Sequence, residues 1–180
     1  MSAERPAPAQ LDGTGMSIAV VWSRFNEEIT ARLLAGARRA LEAHGVAPDR
    51  TDILAVPGAF EIPLVAKRLA ACGRYDAVVA IGAVIRGETG HYDLVARAAA
   101  DGTARAALDT GVPVIFGVLA TETSEQARAR SGGALGNRGE DAALAAIEMA
   151  ATLRGIPGPR DTRAGVRAGP SVAARRPGRA

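Results

Sequence analysis

Cysteine is nearly absent: Cys72 is the single one in 180 residues. That excludes an internal disulfide and any zinc site built from cysteine thiolates. Aromatic residues are scarce, with three Phe, two Tyr and one Trp. Histidine occurs only at positions 44 and 91, so imidazole chemistry has few places to sit. No apolar run approaches the length of a membrane span, and the N-terminus carries no signal-peptide hydrophobic core. These absences predict a soluble, cytoplasmic chain with no membrane partner.

A strong charge of one sign is also missing from most of the chain, although the pI is about 9.7. From Gly155 onward six arginines stand against Asp161, a local +5 that leaves −2 for residues 1–154 out of an overall +3. Nucleic acid is therefore not an expected partner of the domain itself. The Arg-rich end reads as a solvated tail, with contact to a polyanion as the alternative. Residues 1–12 (MSAERPAPAQLD) and 155–180 show little apolar patterning and read as disordered tails. The stretch between them, 13–154, suits one domain with a real core.

Within that stretch, four apolar runs alternate with helical patterns. They are 18–22 (IAVVW), 52–56 (DILAV), 77–85 (AVVAIGAVI) and 114–119 (VIFGVL). Their continuous hydrophobicity marks strands covered on both faces. Between them, Ile29, Leu33, Leu34, Ala37 and Leu41 share one helical face, with Asn26 as the expected N-cap and His44-Gly45 as the stop. Ile62, Val65, Ala66 and Leu69 form a second face that closes at Cys72-Gly73, and residues 92–108 are alanine-rich up to Gly111. Thr123 and Gln126 suit a capping box, Gly132-Gly133 breaks the chain, and 140–153 predicts a last helix with Leu144, Ile147 and Ala151 inward. Strand–helix alternation of this kind predicts a three-layer α/β/α sandwich around an open four-stranded parallel sheet.

In such sheets the ligand site lies beyond the carboxyl ends of the strands. Four loops fall there: 23–26, 57–61, 86–91 and 120–123. The third, RGETGHYD, sets two glycines before a helix start, where free backbone N–H groups suit an anion such as phosphate. It is not a P-loop, because no Gly-Lys-Ser/Thr follows. His91 is either a proton-transfer group at that site or a surface histidine beside an ordinary helix start. Phe25, Phe60 and Phe116 are each open to a core reading, and Glu61 to that of a first-turn charge. Yet Trp22, Phe25, Phe60 and Tyr92 all sit at or beside strand ends, a grouping that suits stacking on a flat heteroaromatic ligand.

The motifs SRFN, VPGAFEIPL, GAVIRGETGHYDLV, PVIFGVL and EQARARSGGALGNRGEDAA, in order and in register over residues 13–153, closely resemble the lumazine synthase family of riboflavin biosynthesis. The resemblance implies a flavodoxin-like fold. It also implies condensation of 5-amino-6-(D-ribitylamino)uracil with 3,4-dihydroxy-2-butanone 4-phosphate to 6,7-dimethyl-8-ribityllumazine, phosphate and water, without metal or organic cofactor. By the same resemblance Phe25 stacks on the pyrimidine, and Ala59, Phe60 and Glu61 contact the ribityl chain. Ala83, Val84 and Ile85 present backbone groups to the ring, and Glu88 and Thr89 hold the phosphate through backbone N–H groups. His91 matches the proton-transfer residue, and Phe116 and Arg130 match residues that a neighbouring subunit supplies.

The resemblance further implies a homo-oligomer of pentamers. The short glycine-containing link at 131–136 is similar to that of members that build a 60-subunit icosahedral shell, a state favoured here over a free pentamer or decamer. It also admits association with riboflavin synthase. Three features depart from the family pattern: Arg138 stands in GNRG where lysine is frequent, Trp22 replaces an aliphatic residue, and the Arg-rich extension is unusual. Two competing readings are a non-catalytic riboflavin-binding or shell-forming homologue and a pentameric riboflavin synthase of archaeal type. The full RGETGHYD and GNRG motifs favour the synthase of lumazine over the latter.

Overall fold

The computed structural model describes residues 11–157. Of the two expected tails, residues 1–10 and 158–180 lie outside the described residues. Four strands, β1 (Ile18–Ser23), β2 (Thr51–Val56), β3 (Ala77–Ile85) and β4 (Val114–Thr121), form one all-parallel sheet in the order β2-β1-β3-β4. The connecting helices are α1 (Glu27–Ala43), α2 (Ile62–Ala71) and α3 (His91–Thr110), followed by α4 (Ser124–Ala129) and α5 (Arg138–Arg154). This is the expected flavodoxin-like α/β/α sandwich.

Strand side chains alternate between faces, which builds two cores from one sheet. On one side Ile18, Val20, Val79 and Ile81 pack with Leu33, Ala37 and Leu41 of α1 and Ala143 and Ile147 of α5. On the other, Ala19, Val21, Val78 and Ala80 pack with Ile62 and Ala66 of α2 and Ala99 and Ala106 of α3. Both faces being covered explains why the strands read as unbroken apolar runs. No helix among the described residues is long and apolar enough to cross a membrane.

Helix ends mostly follow their residues. Gly45, Gly73 and Gly111 all take positive φ after α1, α2 and α3, as stop signals require. Three details differ from the sequence pattern. Asn26 makes no side-chain cap; it adopts the left-handed conformation (φ 61, ψ 44) and sends its amide elsewhere. Helix α5 begins two residues early because Asn137 caps it, its Oδ1 accepting from the N–H groups of Gly139 and Glu140. The inward face of α5 also differs in part: Ile147 is buried and Leu144 half-buried as expected, but Ala151 is exposed and Ala150 takes the inward place. Before it, β5 (Ser131–Gly133) and β6 (Gly136–Asn137) pair as a small antiparallel hairpin, too short and glycine-rich to show a strand pattern.

Candidate active site

Strand order reverses between β1 and β3, so the crevice beyond their carboxyl ends is a topological switch point. A cavity of about 580 Å³ opens there. Its walls come from Phe25 and Asn26 after β1, from residues 58–61 after β2, from Ala83, Val84 and Ile85 of β3, and from Gly87, Thr89, His91, Tyr92 and Val95. Backbone bonds fasten the first two loops together: the N–H of Arg24 donates to the Val56 carbonyl at 2.9 Å, and that of Phe25 to the Pro57 carbonyl at 3.0 Å. Phe25 is thus held at the rim with 70% of its surface exposed, and Phe60 keeps 60%. Neither is a core residue.

The strained Asn26 has a clear structural purpose. β1 ends before β3 does, which leaves the Ala83 carbonyl beyond the β1 ladder. The Asn26 Nδ2 donates to that carbonyl at 2.9 Å, closing the gap and aligning the β3 end that walls the cavity. Asparagine tolerates the left-handed region better than other non-glycine residues, which keeps the cost modest. Asn26, legible from sequence only as a helix cap, is therefore a cavity residue.

The glycine-rich segment runs from β3 directly into α3, with Gly90 just before the helix. The N–H groups of residues 87–90 make no hydrogen bond among the described residues, while that of His91 reaches the Thr89 hydroxyl at 3.4 Å. The helix N-terminus and these free donors give the backbone of the segment a partial positive charge. Thr89 lines the cavity and Glu88 lies on the same segment outside its wall. His91 lines it from the first position of α3, with its side chain exposed.

Phe116 and Arg130 are not brought to this cavity. They face a separate groove of about 360 Å³ along the outer edge of β4, together with Arg138 and Asp141. Phe116 is 42% exposed there, so the core reading fails for it as well. Arg130 donates to the Gln126 carbonyl at 3.1 Å and forms no ion pair among the described residues, whereas Arg138 pairs with Asp141 at 2.7 Å. The fourth strand-end loop, 120–123, contributes no cavity residue; Ala120 and Thr121 belong to the groove.

Fold and cleft together define a doubly wound α/β protein with a ligand-sized site at its switch point. Residues 15–154 match the family of 6,7-dimethyl-8-ribityllumazine synthase, and the chain belongs to that family. Its members are transferases of riboflavin biosynthesis.

Proposed function

We propose that the protein condenses 5-amino-6-(D-ribitylamino)uracil with 3,4-dihydroxy-2-butanone 4-phosphate, forming 6,7-dimethyl-8-ribityllumazine and releasing phosphate and water in the cytoplasm. One observation carries this reading: a single cavity joins exposed aromatic faces, a bare strand end and a glycine-rich helix start bearing a histidine. Its volume is ample for a pyrimidine carrying a ribityl chain. Phe25 stacks on the pyrimidine, the backbone of Ala83, Val84 and Ile85 reads its polar edge, and Ala59, Phe60 and Glu61 meet the ribityl hydroxyls. The phosphate rests on the N–H groups of Glu88 and Thr89.

The chemistry needs proton traffic at three points. The uracil amine attacks the ketone and loses water as the imine forms. Phosphate then leaves with loss of a proton, giving an enol that tautomerises to a ketone. The ribitylamino nitrogen attacks that carbonyl, closing the ring with loss of a second water. His91 moves these protons, and much of the rate comes from holding both substrates in one cavity.

Charge supports completion of the site by a second copy. Among the described residues, Glu61 is the one side chain of fixed charge on the cavity wall, and it has the wrong sign for a phosphate. Arg130 and Phe116 lie in the β4 groove, outside this cavity. A neighbouring copy that sets its β4 groove over the cavity supplies both the missing cation and a second aromatic face. On this reading the protein is a ring of five, and the short link at 131–136 favours assembly into a 60-subunit shell.

The test is to supply both substrates, then the lumazine alone, and to follow phosphate and the lumazine chromophore. Phosphate release that depends on both substrates supports the proposal. Absence of turnover with retained binding points to a riboflavin-binding homologue, and consumption of lumazine alone points to a riboflavin synthase.

A further inference from the structure

Arg86 follows β3 directly, at the root of the glycine-rich segment, and its contacts reach β4, α3 and the turn after β4. Its backbone N–H donates to the Thr121 carbonyl at 2.9 Å, extending the β3–β4 ladder by one residue. Its guanidinium grips Asp93 of α3 with two bonds, Nη1 to Oδ2 at 3.2 Å and Nη2 to Oδ1 at 3.0 Å. Its Nε donates to Glu122, just past β4, at 2.6 Å. Its plane covers the Tyr92 ring, with Cζ 4.0 Å from the ring centroid. Glu122 is fixed in turn, because its N–H donates to the Gln126 side chain at 3.0 Å.

These contacts take up the three corners of a guanidinium. A basic residue beside a phosphate-binding segment invites the role of phosphate ligand, but here two carboxylates already neutralise it. Arg86 does not line the cavity. The contacts instead clamp both ends of residues 87–92, since Arg86 is one end and Asp93 with Tyr92 the other. The five residues between carry two glycines and little else to hold them.

We propose that Arg86 is a positioning residue: with Asp93, Tyr92 and Glu122 it forms a rigid corner that sets the N–H groups of residues 88 and 89 and the ring of His91 without touching substrate. The hydrogen bonds to Arg86 also hold the Asp93 carboxyl below the usual carboxylate range, so the clamp stays charged across the neutral region. The inference rests on the reading of this segment as the phosphate site, and one of its tests does not.

Three variants decide it: Arg86→Gln, Arg86→Lys and Asp93→Asn. Steady-state kinetics and calorimetric titration with inorganic phosphate are run on each, with amide hydrogen exchange over 86–93. Loss of the clamp raises KM for the phosphate-bearing substrate by about tenfold or more, since misplacement of about an ångström is costly. KM for the aminouracil changes less. Asp93→Asn weakens phosphate binding as Arg86→Gln does, and Arg86→Lys restores only part, because an ammonium cannot fork onto Asp93 and reach Glu122 together. Exchange of the hydrogen-bonded N–H groups of residues 86, 91 and 93 quickens in all three. Tighter phosphate binding by Asp93→Asn identifies Arg86 as a direct ligand and overturns the inference, as does unchanged exchange. A wild-type chain that neither binds phosphate nor turns over overturns the functional reading alone, while exchange still decides the clamp.

Discussion

His91 and Arg130 carry opposite halves of the proposed chemistry, and their surroundings explain why their variants fail differently. His91 sits on the cavity wall at the start of α3, and in the proposed reaction it moves protons where proximity already favours the chemistry. His91→Ala therefore lowers kcat by about a hundredfold and leaves measurable turnover; complete inactivity in a sensitive phosphate assay contradicts this. In the proposed site Arg130 supplies charge rather than protons. Arg130→Ala raises KM for the butanone phosphate by about tenfold or more, the worth of a hydrogen bond to a charged group, with kcat less affected. Steady-state kinetics with each substrate varied in turn distinguishes the two patterns.

At this scale the sequence is legible where residue types are rare. With six aromatics in the chain, the placing of Phe25 and Phe60 at strand ends stands out, and both prove to be on the cavity rim. Asn26 is not legible in that way, because a left-handed asparagine and a helix-capping asparagine look alike in a sequence. Its role depends on β1 ending short of β3, which only the register reveals. The Arg86 clamp is hidden for the same reason: its partners are 7 and 36 residues away.

Among the elements, the crossing of α1 and α5 is close, and two glycines permit it. A Cβ at Gly139 would overlap the Leu33 carbonyl, and one at Gly36 would overlap the Asn137 side chain. Asn137 joins both helices, capping α5 and donating to the Arg32 carbonyl of α1 at 2.9 Å. Gly139→Ala must push the helices apart and costs about 3 kcal/mol, while Asn137→Ala loses cap and cross-link for about 2 kcal/mol. Urea unfolding gives both values, and a Gly139→Ala chain as stable as the parent refutes this account of the crossing. Asn137 precedes an obvious helical pattern yet is invisible as a cap without the hairpin that orients it. At the start of α4 the capping box is legible but shifted. Thr123 accepts from the Gln126 N–H at 3.3 Å as expected, while the Gln126 side chain returns to Glu122 rather than to Thr123.

For the molecule as a whole, strands covered on both faces made the sheet readable, since period and run length alone separate it from the helices. The proposed division of the site is not readable from patterning, because no periodicity reports what a β4 edge faces. Exposed ion pairs set the pH response. Asp93, Glu28 and Asp109 are held below the usual carboxylate range by hydrogen bonds to Arg86, Arg128 and Lys67. Groups with depressed folded values contribute stability above their unfolded values and lose it as pH falls through the folded ones. The thermal midpoint is therefore level from neutrality down to about pH 4.5 and falls below it; a decline already under way at neutrality contradicts this. Because every pair is exposed, the effect is small and weakens with salt. The proposed ring predicts a light-scattering mass that is that of a pentamer or a multiple of it, and a monomeric solution of active protein rules out the shared site.

The most direct test of that shared site mixes two defects. His91→Ala spoils the cavity half and Arg130→Ala the groove half, so chains co-assembled in equal amounts regain intact junctions at about a quarter of their interfaces. Assayed with both substrates at a butanone phosphate concentration limiting for the Arg130→Ala parent, the mixed assembly exceeds the mean of its two parents. Activity equal to that mean places both residues in one chain's site and contradicts the account.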